Sequence, residues 1–461
     1  MNELDSRKVE LFENTPVPKA VAKLAIPTIA ASIVMVIYNL ADTFFVGLLN
    51  DPVQTSAVTL AAPAILIFNA VTNLFGVGSS SLMSRALGQK DYDTVKRSAA
   101  FGFYCTLLCG IVFSLTALLF RPVLLNILGS EASNSESTSQ YIFWTVACGA
   151  VPAMLNVVLG NLVRAEGRAM HASVGVMSGC ILNIILDPLF IMPWGLDMGA
   201  SGAGCATFIS NTVAMAYFLI LLKIRKNDTY VSLNIAYAKP TPAISREVFG
   251  VGVPASVQNL LNVTGMTILN NITASYGTEA VSAMGIAHKV ALVPLYFSMG
   301  GGQGVMPLVG YNYASGNRKR MKETIRYSEK IFIISMLVSG LLFYVFAEEL
   351  IEMFMTNELI VADGAIFLRG FSLAIPFLAM DFLAVAIFQA CGRGKISLIF
   401  AIARKIVLEI PAILILNRIF GMPGLGYGQL VAETVISIAA TVMLEKLVRE
   451  TGKETPAYGK D

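Results

Sequence analysis

Apolar stretches long enough to cross a bilayer recur twelve times along this chain, and that recurrence limits the fold more than any other feature. A hydrocarbon core of about 30 Å needs about 20 helical residues. The stretches lie near residues 20–48, 54–84, 97–120, 138–164, 170–193, 201–222, 246–273, 279–310, 327–347, 361–390, 396–417 and 424–446. With 55% of 461 residues hydrophobic and only 14% charged, the chain falls far short of the roughly 25% charged residues of a soluble domain. In lipid every backbone polar group must be satisfied internally, so the expected fold is an all-α polytopic membrane protein of twelve transmembrane helices.

Charge sets the expected orientation. Lys and Arg gather before the first stretch (Arg7, Lys8, Lys19, Lys23) and after the second, fourth, eighth and tenth. They gather again in the central connection and at the end. The alternate loops hold Arg121 and Arg418, and one is acidic, with Glu348, Glu349, Glu352 and Glu358. The positive-inside rule then places both termini in the cytoplasm, in the cytoplasmic (inner) membrane of the cell. The polar start, residues 1–8, has no apolar signal-peptide core, so the first stretch is expected to remain as a span. The six cysteines all sit in or beside apolar segments without metal-ligand spacing and read as small buried hydrophobes.

The two halves repeat. Ala25-Ile-Pro27 pairs with Gly252-Val-Pro254, Ala86-Leu-Gly-Gln-Lys-Asp91 with Ala314-Ser-Gly-Asn-Arg-Lys319, Arg164-Ala-Glu-Gly-Arg168 with Gln389-Ala-Cys-Gly-Arg393, and Gly199-Ala-Ser-Gly-Ala-Gly204 with Gly421-Met-Pro-Gly-Leu-Gly426. Four matches in one order indicate a duplicated six-helix unit: an amino-terminal lobe over residues 1–228 and a carboxy-terminal lobe over 229–461. Six is even, so the lobes share a topology. They are expected to be related by a pseudo-two-fold axis along the membrane normal, with a central cleft.

Carboxylates inside such helices are costly and point to function. Asn183 and Asp187 are one helical turn apart within Gly179–Phe190, surrounded by Ile, Leu and Phe. Tyr38 and Asp42 have the same spacing in the first stretch. The expectation is a cation site shared by these two helices, and hence a transporter. The second half has its own buried charges: Asp381, Arg404, Lys405, Glu409, Glu433 and His288-Lys289. Opposite charges favour a paired structural network there. The sharper alternative is that Asp381, Glu409 or Glu433 contacts a cationic substrate or titrates during turnover. Repeat alignment sets Glu409 opposite Asp187. The two histidines, His171 and His288, read as structural. Met154, Met177, Met266, Met284, Met299 and Met306 either line an adaptable cavity or fill core and lipid-facing positions. Ser79-Ser80-Ser81 suits close helix packing. Pro27, Pro63, Pro152, Pro254, Pro294, Pro376 and Pro411 favour kinks.

These residues resemble the multidrug and toxic compound extrusion (MATE) transporters. The matching motifs are Ala41-Asp-Thr-Phe-Phe-Val-Gly47, Ser84-Arg-Ala-Leu-Gly88, Asn183 through Pro188 and Gly202-Ala-Gly-Cys-Ala-Thr207. Gly302-Gln-Gly-Val-Met-Pro307 through Tyr311-Asn-Tyr313 is similar to the MepA-like bacterial branch. The resemblance implies a two-lobed exporter that admits Na⁺ or H⁺ while amphipathic, often cationic compounds leave. It also implies a cation site in the amino-terminal lobe at Asp42, Asn183, Asp187 and Thr207, with Tyr38 and Asn156 nearby. Hard oxygen donors there suit Na⁺ as well as a proton. Some relatives carry a glutamate eight residues after the proline of the seventh helix, where this chain has Asn262.

Other classes fit less well. The string Gly392-Arg-Gly-Lys-Ile-Ser397 lacks the Ser or Thr a phosphate-binding loop needs directly after Lys, and no loop is long enough for a nucleotide-binding domain. Neither HExxH nor GxSxG occurs. A flippase of lipid-linked sugars or another specific metabolite is the remaining alternative, but the mid-span acids of the first half point to cationic substrates. The expectation is therefore a non-enzymatic, monomeric exporter without cofactors, partnered by the bilayer and small organic substrates and not by nucleic acid.

Overall fold

Twelve long helices carry almost all of the described residues: α1 (Val17–Gly47), α2 (Pro52–Gly88), α3 (Tyr92–Leu119), α4 (135–165), α5 (Ala169–Ile191), α6 (Gly199–Ile224), α7 (Pro242–Thr273), α8 (Thr278–Ala314), α9 (Arg318–Val345), α10 (Glu358–Ala390), α11 (394–420) and α12 (Gly428–Glu450). The computed structural model describes residues 10–130, 133–239 and 241–450, and among these no strand occurs. Arg7 and Lys8, named above, lie outside the described residues, as do 131, 132, 240 and 451–461. Eight of the helices are long and apolar enough to cross a membrane by themselves, and α4 makes a ninth if its 47° bend is counted within one span. Helices α7, α11 and α12 are more polar: α11 holds Arg404, Lys405 and Glu409 mid-length, and α12 holds Glu433.

Local chemistry sets the ends. Asp51 caps α2, accepting from Val53 N at 2.8 Å, with Pro52 in the first turn. Asn357 caps α10 through Leu359 N at 3.0 Å. Gly277 and Gly421, at φ +107° and +66°, turn the chain where other residues would be strained. Helix α9 starts at Arg318, nine residues before its apolar stretch, because a run of Arg, Lys, Met and Glu favours helix and Asn317 caps it. Helix α2 is broken at Ala61, just before Pro63, and again by a wide turn at Asn73–Val77. Pro63 and Pro411 begin new helical segments, whereas Pro27, Pro254, Pro294 and Pro376 lie within continuous helices.

The chain divides into two compact units. One comprises Ile33–Ser256; the other comprises 257–450 together with 10–32. Helices α1 and α7 thus each contribute one end to either unit. In the first unit α4 lies at the centre, packed on α2, α3, α5 and α6. In the second, α10 packs on α8, α9, α11 and α12, and 83% of its most apolar window is buried, against 22% for α9. All six cysteines are free; Cys180, Cys205 and Cys391 are buried and the other three half-buried.

Each unit clamps the segment that leads into a crossing helix. In the first, the buried Glu166 carboxylate accepts from Thr229 Oγ1 at 2.7 Å and from the amides of Tyr230 and Val231 at 2.5 and 3.1 Å, while Tyr92 stacks on Tyr230 at 4.2 Å. In the second, Arg320 donates to the carbonyls of Leu11, Phe12 and Thr15, and Phe12 stacks on Tyr311 at 4.7 Å. The start of α1 then presses onto α8 so closely that a Cβ at Gly304 would lie 2.6 Å from Ala25 Cα. Gly304→Val is expected to destabilise the protein by about 1–3 kcal/mol through overpacking, read as a lower melting temperature in detergent. Gly47→Ala, at a position open on all sides, should leave that temperature nearly unchanged.

Candidate functional site

In the first unit, α1, α4, α5 and α6 bring their polar side chains together. Asp187 and Asn183 are fully buried one turn apart on α5. One terminal atom of the Asn183 amide lies 2.9 Å from Asp187 Oδ2; the other lies 3.1 Å from Thr207 N and 3.3 Å from Thr207 Oγ1. The assignment that satisfies these contacts turns the NH2 to the carboxylate and the carbonyl to Thr207. From α1, the Tyr38 hydroxyl faces the Thr207 side chain, and Asp42 is near enough to Asp187 for their charges to interact. Asp42 Oδ1 is buried without a hydrogen-bond partner, and no ion pair to Asp42 or Asp187 is found among the described residues. Asn156 stands one step away: it donates to Asn211 Oδ1 at 2.9 Å, and Asn211 donates to the Thr207 carbonyl at 2.9 Å.

Two neighbours escaped the reading of the sequence. Tyr141, at the start of α4, is buried beside Asp42, Tyr38 and Asp187. Nothing in its spacing marks it, since it comes from a different helix. Asn211 was visible in principle: it lies one turn after Thr207 on α6. The donor set of two carboxylates, an amide and hydroxyls suits a hard monovalent cation or a proton. The orphaned Asp42 oxygen is the atom such a cation would satisfy. Asn183, with its amide engaged on both sides, serves here to hold Asp187 and Thr207 in place.

The charges of the second unit converge as well. Arg404 Nη1 donates to Asp381 Oδ2 at 2.7 Å and contacts Glu433 Oε1 at 3.5 Å; Nη2 donates to Asn262 Oδ1 at 2.5 Å. Its guanidinium also lies over the Phe382 ring, 5.1 Å from the centroid. Lys405 pairs with Glu409 at 2.6 Å on the widened turn Ala403–Glu409. His288, from α8, is near enough to both to feel their charges and meets the Phe371 ring edge-on. Asp381, Lys405, Glu409, Glu433 and His288 therefore belong to one core, with Arg404 at its centre. His171 is elsewhere, 3.2 Å from the Tyr217 hydroxyl. The Ser84-Arg-Ala-Leu-Gly88 motif, in the last turns of α2, has a pairing role: Arg85 holds Glu247 at 2.8 Å.

Comparison with known proteins bears on the whole chain. The MatE family model matches it twice, over residues 27–189 and 254–415, beginning each time at the proline of a crossing helix. The chain is 33% identical over 438 residues to "Multidrug export protein MepA" of Staphylococcus haemolyticus (strain JCSC1435), covering 95% of each chain. It is 32% identical over 434 residues to the protein of the same name from Staphylococcus aureus (strain MRSA252), covering 94% of each. A solved structure described as the outward-facing conformation of a multidrug resistance MATE family transporter of the MOP superfamily superposes with a TM-score of 0.91, at 26% identity, over 97% of this chain and 99% of that one. The fold is accordingly the twelve-helix, two-lobed membrane fold of those transporters.

Removing Arg404 takes the guanidinium partner from two buried acids, Asp381 and Glu433. Arg404→Met is expected to cost about 3–5 kcal/mol, the cost of breaking a buried pair from one side. Adding Asp381→Asn to that variant should recover part of the loss, as read by thermal unfolding in detergent.

Proposed function

This chain belongs to the MatE family of membrane transporters, and we propose that it is a secondary active multidrug exporter that antiports Na⁺ or H⁺ against amphipathic, often cationic organic compounds by alternating access. Its relatives' designation as multidrug export proteins supports the substrate class. The observation that carries the coupling role is the meeting of Asp42 and Asp187 from separate helices, with no ion pair to either among the described residues and with one carboxylate oxygen unsatisfied. Two like charges in a low-dielectric core repel each other and favour uptake of positive charge. Asp42, Asn183, Asp187 and Thr207 form the coupling site under this reading. Tyr38, Tyr141 and Asn156 surround it.

The mechanism follows from which charges are balanced. Loading a cation between Asp42 and Asp187 removes their repulsion and lets α1 settle on α5 and α6. Unloading restores the repulsion and loosens α1. Asn183 keeps Asp187 oriented through both steps by its bonds to the carboxylate and to Thr207. A cationic compound and the coupling ion each answer the same negative charge, so binding of one disfavours the other, which is the requirement for exchange. On this reading the protein works in the cytoplasmic membrane with both termini in the cytoplasm, as a monomer and without a cofactor.

Export of a fluorescent organic cation from proteoliposomes or whole cells tests this, with Na⁺ and pH gradients imposed separately. Wild type is expected to be driven by one of the two gradients, and Asp187→Asn and Asp42→Asn to fall to background while still folding. Full export by both variants would remove the coupling role from these residues. Absence of export by wild type under either gradient would overturn the exporter reading.

A further inference from the structure

We propose that the charged core of the second unit is a proton-binding site in its own right, with Glu433 as the group that carries the proton. The core holds three acids, Asp381, Glu409 and Glu433, against two bases, Arg404 and Lys405. All three acids are buried, Asp381 and Glu433 almost completely, at 1% and 0% exposure. Fully ionised, they leave one negative charge unanswered in an apolar interior, a state of high cost. One added positive charge closes the count.

Geometry selects the acid. Asp381 has Arg404 at 2.7 Å and Glu409 has Lys405 at 2.6 Å, whereas Glu433 meets its cation only at 3.5 Å, through the same Nη1 that already serves Asp381. Each of the three acids leaves one buried oxygen without a partner, Asp381 Oδ1, Glu409 Oε2 and Glu433 Oε2, so the longer cation contact is what sets Glu433 apart. The groups facing Glu433 come from every neighbour that carries charge: Arg404, Lys405 and Glu409 from α11, and Asp381 from α10. Asn262 from α7 occupies the other guanidinium nitrogen. His288 from α8 stands beside the Lys405–Glu409 pair. Sodium fits less well than a proton: it would lie against the guanidinium and need several oxygen donors, whereas a carboxylic acid needs only its own O–H.

Loss of that proton would draw Arg404 toward Glu433 and away from Asp381, so the proton count sets how α12 is held against α10 and α11. The site does not rest on the coupling role of Asp42 and Asp187, and its test keeps them apart. The full-length protein in lipid nanodiscs is examined by infrared difference spectroscopy across a pH titration, in an Asp42→Asn, Asp187→Asn background that removes the two candidate coupling acids of the first unit. A protonated-carboxyl carbonyl band is expected at neutral pH, lost on alkalinisation and absent in Glu433→Gln. A band that survives Glu433→Gln unchanged, or no band at all, overturns the proposal.

Thermal unfolding in the same background gives a second readout. A proton held in the folded state and released on unfolding contributes stability below the carboxyl's unfolded-state titration, and that stability is lost as pH rises through its folded-state titration. The parent background should therefore unfold at falling temperature as the medium becomes alkaline. Glu433→Gln, which mimics the neutral acid, should keep its melting temperature across the same range. Failure of Glu433→Gln to fold, or a pH dependence identical to the parent's, counts against the proposal.

Discussion

A charge inside a bundle of apolar helices has to be answered by a polar or oppositely charged side chain, and much of this structure is arranged by that demand. Arg404 draws Asp381, Glu433 and Asn262 from α10, α12 and α7 onto α11. Without those partners α11 would carry three charged residues into an apolar interior. In the first unit the same demand is left unmet: Asp42 and Asp187 come together with no ion pair to either among the described residues. The difference between a cluster anchored by its own cations and one without any separates residues that hold helices together from residues that must take all their counter-charge from outside.

The polar clamps outside the bundle obey related rules. Glu166 satisfies three donors of the segment that leads into α7, and Arg320 satisfies three carbonyls of the segment that leads into α1. Irregular backbone at these places would otherwise carry unpaired polar groups. Both clamps act on helices that contain a proline, Pro27 and Pro254, and that contribute to both compact units. Asp42 lies on α1 beyond the proline, so the clamp and the candidate site act on opposite ends of one helix.

Much of this was legible before any coordinates. The apolar stretches map onto the twelve helices because backbone satisfaction in lipid leaves the chain few alternatives. The duplicated motifs foreshadowed the two matches to one family model. The spacing of Asn183 and Asp187 put them on one face because helical periodicity is local information. What could not be read was mostly what depends on another helix. Tyr141 joins the acids of the first unit only through the placement of α4. Asn262 read as a missing acid and is a partner of Arg404. The break of α2 at Ala61 had a local signal in Pro63, but a proline tolerated inside α1, α7, α8 and α10 does not announce which helix it will interrupt.

The repeat and the charge count together explain why the two lobes need not do the same work. Duplication supplies both with six helices and a central one, α4 or α10, but side chains then diverge at single positions. In the first unit α5 carries Asn183 and Asp187, and a neutral amide spans the turn between the acid and Thr207. In the corresponding α11, Arg404 and Lys405 bring positive charge into the same part of the lobe and pair with the acids around them. A guanidinium is fixed to the chain and cannot leave with a gradient, whereas an unpaired carboxylate must acquire its counter-charge from outside. The ion that drives exchange is therefore expected at Asp42 and Asp187, and the excess acid beside Arg404 is left to the smallest cation available, a proton.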